Sequence, residues 1–70
     1  MLQPETGVRV IARTKREATK SDHMSFAKGD EIEVVEAEGK WHKGILRESS
    51  KYKITGEVLK YPANFVKPKI

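Results

Sequence analysis

The apolar residues of this chain fall in short runs that alternate every second position, and turn residues separate one run from the next. In "GDEIEVVE" (29–36), Ile32 and Val34 lie on one side of an extended backbone, while Glu31 and Glu33 lie on the other. Just upstream, Met24 and Phe26 share a face and "AKGD" (27–30) makes a turn. "VRVIA" (8–12) is a β-branched run with Val8, Val10 and Ala12 on one face. "AEGK" (37–40) is the next turn, "WHKGIL" (41–46) the next strand, and "RESSK" (47–51) a hydrophilic hairpin tip. "YKITGEVLKY" (52–61) reads as a further strand in which Gly56 marks a bulge or kink. At "PANF" (62–65), Pro62 has no N–H for a ladder, so pairing stops there and a single helical turn follows. "VKP" (66–68) closes with a last short strand. No helix of ordinary length fits. Five short strands with turn signals about every 8–12 residues predict a small all-β barrel or sandwich.

One stretch breaks the pattern. "RTKREATKSD" (13–22) is polar throughout and does not alternate. Its length predicts a long structured loop, which in a small domain often carries function. Residues 1–7, interrupted by Pro4, Thr6 and Gly7, read as a flexible leader to a single domain spanning 8–70.

Size narrows the function. A chain of 70 residues with 37% hydrophobic content buries only about 60% of its unfolded surface, too little for a stable core and a deep catalytic cleft together. There is no cysteine, so neither disulfides nor a thiolate zinc site can supply stability. The start lacks a signal-peptide pattern, and no run approaches the roughly 20 apolar residues of a membrane span. The expectation is a soluble, monomeric, cytoplasmic domain.

Catalytic arrangements are missing. His23 and His42 are the only imidazoles, and they lack metal-ligand spacing. "SDH" (21–23) sets three relay residue types side by side, where an extended chain points them in different directions. The glycines form no phosphate-binding loop. The expectation is no enzyme, no metal and no cofactor.

The net charge of +4 is unevenly distributed. Residues 9–28 carry +4, residues 29–39 carry −5 and residues 40–70 carry +6. Such a layout attracts acidic partners at long range, and it equally describes a solvated lysine surface.

The spacing "A-x13-F-x2-GD-x10-W-x2-G-x17-P-x-NFV", from Ala12 to Val66, resembles the Src homology 3 (SH3) domain family. The likeness runs from Val8 to Pro68, and the stretch from Ala12 to Phe26 has the length of the family's RT loop. The resemblance implies a five-stranded SH3-like barrel with a 3-10 turn before the last strand. It also implies that Trp41, first after the n-Src turn, is exposed and divides proline-binding grooves from a specificity pocket. Pro62, Asn64 and Phe65 would form the opposite wall. An indole suits the role, being a large flat apolar surface with one N–H. Proline-rich ligands suit it as well, being extended before they dock. Read from the residues alone, Trp41 and Phe65 also fit a core, and Pro62 and Asn64 a capped turn.

The chain departs from the family where "ARTKREA" (12–18) stands in place of "ALYDY". Thr14 and Arg16 occupy the positions of two groove tyrosines, and His23 the position of a carboxylate that pairs with ligand arginine. Asp22, one residue away, would point to the other side of an extended strand. Lys60 adds positive charge to the groove, whereas Glu36 and Glu38 in the n-Src turn would attract a ligand cation. Four functions follow. The first is an adaptor module that binds a proline-containing or atypical peptide over Trp41, Pro62 and Phe65, with an acidic ligand residue facing Arg16. The others are a degenerate domain packed within its parent protein, a binder of a folded partner such as ubiquitin, and a basic surface for nucleic acid or phosphoinositide. The last lacks the interleaved exposed aromatics that stacking on bases needs.

Overall fold

The computed structural model describes residues 7–69 and contains five antiparallel strands. They are β1 (Arg9–Ala12), β2 (Glu31–Glu36), β3 (Trp41–Glu48), β4 (Val58–Pro62) and β5 (Val66–Pro68), with a 3-10 turn, Ala63–Phe65, between the last two. The strands form one sheet in the order β4-β3-β2-β1-β5. Residues 1–6 of the expected leader lie outside the described part; Gly7 donates its N–H to Val34 O at 2.6 Å.

Period-two patterning decides which side chains meet inside. Val10, Ala12, Met24, Phe26, Ile32, Val34, Leu46 and Tyr61 are buried together, with Tyr52, Leu59, Phe65 and Val66 packed against them. The expected inward set of Ala12, Met24, Phe26, Ile32 and Val34 is therefore observed. Val8 differs. It lies ahead of β1, close to the bulge at Val35 where the β2–β3 register shifts, and stays 38% exposed. On the outer face, Glu31 accepts from Lys69 at 2.9 Å and from Arg9 at 3.3 Å. The hydrogen bond from Lys69, foremost among these contacts, holds the Glu31 carboxyl below the usual range.

Gly44 explains how β3 approaches its neighbours. A Cβ there would stand 2.6 Å from Glu33 O, 2.8 Å from Ile32 Cγ2 and 3.1 Å from Tyr61 Cε1. The Tyr61 ring thus lies across a position that only hydrogen can fill.

The expected strand over 52–61 is shorter, and β3 is longer. The last β3–β4 pair is Ile45↔Val58; beyond it β3 pairs with β2 alone, through Leu46 and Glu48. The cause is a buried carboxylate. Asp30 accepts from Ala27 N at 2.7 Å, Ser49 Oγ at 2.6 Å and Ser50 N at 3.3 Å. These bonds hold the end of β3 against the 27–30 turn and away from β4. Residues 49–57 form a loop in which Ser49 Oγ accepts from Tyr52 N at 2.9 Å and Gly56 turns at φ +77°. Pro62 does not leave the ladder either. It ends β4 in register with Trp41, because a final residue needs no N–H, and Ala63 N takes the next bond, to Lys40 O at 2.8 Å.

The long loop expected at 13–22 doubles back on itself. Arg16 and Phe26 exchange backbone bonds of 2.9 and 3.0 Å at its base. Its returning arm docks on the outer edge of β4, where Lys60 N donates to Asp22 O at 2.9 Å and Met24 N donates to Lys60 O at 2.7 Å.

Tyr61 carries a cost within this core. Its hydroxyl is buried without a hydrogen-bond partner, and burial pushes the phenol up to about 12. Tyr61→Phe is expected to raise stability at neutral pH by about 1 kcal/mol, because it removes an unmet polar group. The unfolded chain releases the phenolic proton near pH 10 and the fold only near 12. In that window the unfolded state binds fewer protons, so stability falls by about 2–3 kcal/mol as pH rises. Denaturant curves of both proteins from pH 9 to 12 test this: a difference that does not widen with pH contradicts it.

Candidate functional site

The turn at Gly39, φ +70°, delivers the chain into β3 with Trp41 first. Alternation then sends His42, Gly44 and Leu46 inward, and Trp41 and Lys43 outward. Trp41 is 45% exposed, so it is not a core residue. The β3–β4 register sets Pro62 directly opposite Trp41 and Lys60 opposite Lys43. The 3-10 turn continues the strip, with Asn64 exposed and Phe65 half-buried. Phe65 serves both readings: its ring meets buried Phe26 edge-on at 6.4 Å, and the Arg16 guanidinium lies 6.0 Å from its centroid. Phe65 O accepts from Arg13 N at 2.7 Å, which ties the turn to the end of β1.

Arg16 lies against this strip. Its guanidinium carbon is 5.1 Å from the Trp41 ring centroid, within cation–π range, so the cation lies beside both Trp41 and Phe65. Its Nη2 donates to His23 Nδ1 at 3.1 Å. Since guanidinium has no acceptor, that His23 nitrogen carries no proton. The His23 ring stands 4.8 Å from Trp41, tilted by 45°.

The expected site residues are not all brought together. Trp41, Pro62, Phe65 and Arg16 converge, with Asn64 at the rim. Thr14 stands exposed in the bend after β1, and among the described residues no hydrogen bond or ring contact ties it to the strip. Asp22 lies in a turn rather than an extended strand, so the expectation that it points away does not hold. Its carboxylate is 3.9 Å from Lys60 Nζ and 3.9 Å from His23 Nε2. Glu38 and Glu36 line a cavity of about 500 Å³ beside Trp41, together with Lys20, His23, Lys43 and Lys60. Glu36 is paired with Lys43 at 3.3 Å. Among the described residues, Lys20 and Glu38 belong to no ion pair.

Of the cavity's lysines, Lys60 was expected to make the groove positive, whereas Lys43 and Lys20 were not anticipated. Lys43 had a readable signal, since it shares the outward face of Trp41 two positions on. Lys20 had none, because its place depends on how the loop returns over β4.

A family model described as SH3 domain matches residues 17–52. Among solved structures, the C-terminal SH3 domain of myosin IB from Entamoeba histolytica, bound to the EhFP10(GEF) peptide, is 27% identical with a TM-score of 0.74. That match covers 96% of this chain and 100% of the other. The Acanthamoeba myosin I SH3 domain bound to Acan125 is 26% identical with a TM-score of 0.71, covering 93% of this chain and 100% of the other. A second structure of the Entamoeba domain gives 25% identity and a TM-score of 0.71, covering 96% and 100%. No curated protein matches the sequence.

Proposed function

The chain belongs to the SH3 domain family of peptide-binding interaction modules, and we propose that it binds a peptide segment of another protein across Trp41, Pro62 and Phe65. The observation that carries this reading is the register of Trp41 with Pro62: an exposed indole and a rigid proline side by side, continued by Phe65 and Asn64. The strip is apolar and shaped by backbone pairing, so it is formed before any ligand arrives. A ligand segment already extended by its own prolines loses little entropy on docking there. The indole N–H and the Asn64 amide supply directional bonds to its carbonyls. The two peptide- or protein-bound myosin domains support the reading by their likeness. The module acts as a noncatalytic, monomeric, cytoplasmic adaptor.

Trp41→Ala tests it. Because nearly half of Trp41 faces solvent, the variant is expected to unfold cooperatively, with stability within about 1 kcal/mol of the wild type. Peptide affinity should fall by about 2 kcal/mol, roughly thirtyfold, as for a central aromatic anchor. The readout is an NMR titration with pooled proline-rich peptides, following the Asn64 and Phe65 amides. Undiminished binding, or loss of the cooperative transition, contradicts the assignment.

One observation favours a second reading. Arg16 already fills the slot between Trp41 and Phe65, as a degenerate groove packed within its parent protein would have it. The same titration then shows no shift at the strip with any peptide.

A further inference from the structure

We propose that Arg16 is the anion receptor of this groove, and that the accepted peptide carries an aspartate or glutamate whose carboxylate docks on the Arg16 guanidinium. The inference rests on the peptide-binding reading and deepens it by naming the ligand's chemical class.

Arg16 is a cation without an anion. Arg9 has Glu31 at 3.3 Å and Arg47 has Glu33 at 3.1 Å, but no carboxylate of the described residues lies within ion-pair distance of Arg16. The one hydrogen-bond partner of its guanidinium among the described residues is His23 Nδ1 at 3.1 Å, and its Nε is buried with no partner. A guanidinium offers five donors in a planar fork, and a carboxylate meets two at once. Charge-assisted bonds of that kind are about twice as strong as neutral ones. An arriving carboxylate therefore outcompetes the imidazole.

The surroundings keep the receptor in place and select the sign of its ligand. Both backbone groups of Arg16 are bonded to Phe26, so the residue cannot retreat without opening the base of the loop. The Trp41 and Phe65 rings flank the guanidinium and thin the water around it, which strengthens any ion pair formed there. In the neighbouring cavity, Glu36 is engaged by Lys43, and Asp22 lies near Lys60. In that cavity a ligand arginine finds Glu38 alone and a ligand carboxylate finds Lys20, while Arg16 stands beside it against Trp41. The resemblance sets Arg16 in a tyrosine's position, and its guanidinium lies 5.1 Å from the Trp41 ring centroid and 6.0 Å from that of Phe65.

The test uses three pools of short proline-bearing peptides, identical except for one central position that is Glu, Gln or Arg. Each is titrated into the labelled domain, and the Trp41 indole and Arg16 Nε–H signals are followed. The Glu pool is expected to bind about tenfold tighter than the Gln pool, as one charge-assisted bond implies, and the Arg pool weakest. Arg16→Gln should erase the Glu preference while the fold and residual binding at Trp41 persist. Arg16→Lys, which keeps the charge but not the fork, should retain part of it. Equal binding of the Glu and Gln pools, or a Glu preference that survives Arg16→Gln, overturns the receptor assignment alone. Absence of shifts at Trp41 with all three pools overturns the peptide-binding reading, and this inference with it.

Discussion

Gly44→Ala is expected to lower the unfolding free energy by about 2–4 kcal/mol. The added methyl meets a backbone oxygen, Glu33 O, at 2.6 Å and a packed methyl of Ile32 at 2.8 Å. Neither is the loose end of a flexible side chain. Relief requires β3 to move off β2, at the cost of ladder bonds on both sides, or Tyr61 to tilt out of a filled core. A small gain of about 0.4–1 kcal/mol, from reduced freedom of the unfolded chain, offsets part of this. A domain of this size holds only about 3–5 kcal/mol in total, so the variant should be largely unfolded at physiological temperature. Chemical denaturation followed by Trp41 fluorescence reads the result. A midpoint within error of the wild type would mean that the β2–β3 approach is looser than the structure shows.

Asp30→Ala is expected to cost about 3 kcal/mol. Hydrogen bonds to a carboxylate are worth about 1.5–3 kcal/mol each, and two of the three that Asp30 accepts are short, 2.7 and 2.6 Å. The substitution leaves the Ala27 N–H and the Ser49 hydroxyl unpaired around a vacated position. Asp30→Asn should recover less than half of the loss, since its amide turns donors toward donors. Ser49→Ala alone should cost about 1 kcal/mol. Coupling between positions 30 and 49 in a double-mutant cycle separates the specific bond from general damage. Strictly additive effects would show that the contact between turn and strand end contributes little.

These two residues also show what could be read from the sequence and what could not. Alternation of Ile32 and Val34 against Glu31 and Glu33, with the turns between runs, was enough for the β class, which follows from local geometry. The exposure of the indole came with the resemblance, since the residues alone also allowed a core position. Asp30 looked like an ordinary turn residue. That it also gathers Ser49 and Ser50, and so decides where β4 begins, is a tertiary effect with no local trace. Gly44 reads as one more glycine in a strand until Tyr61 is known to lie across it. At the site, Trp41, Pro62 and Phe65 were legible through spacing and resemblance. Arg16 was placed in the groove by the resemblance, but the stacking of its guanidinium on Trp41 was not legible. That contact depends on the loop folding back to pair Arg16 with Phe26 and its returning arm with Lys60, far along the chain.

That pairing has a consequence for aggregation. In the sheet order, β4 and β5 are the outermost strands, and an outermost strand ordinarily invites a foreign strand to add on. At β4 the invitation is withdrawn: both backbone groups of Lys60 are already bonded to the Asp22–Met24 segment. At β5 there are three residues, the last a proline. Among the described residues, neither outermost strand therefore offers a neighbouring copy a long free edge to pair with. The proposed peptide, equally, is one read by side chains in the groove and not by extension of the sheet.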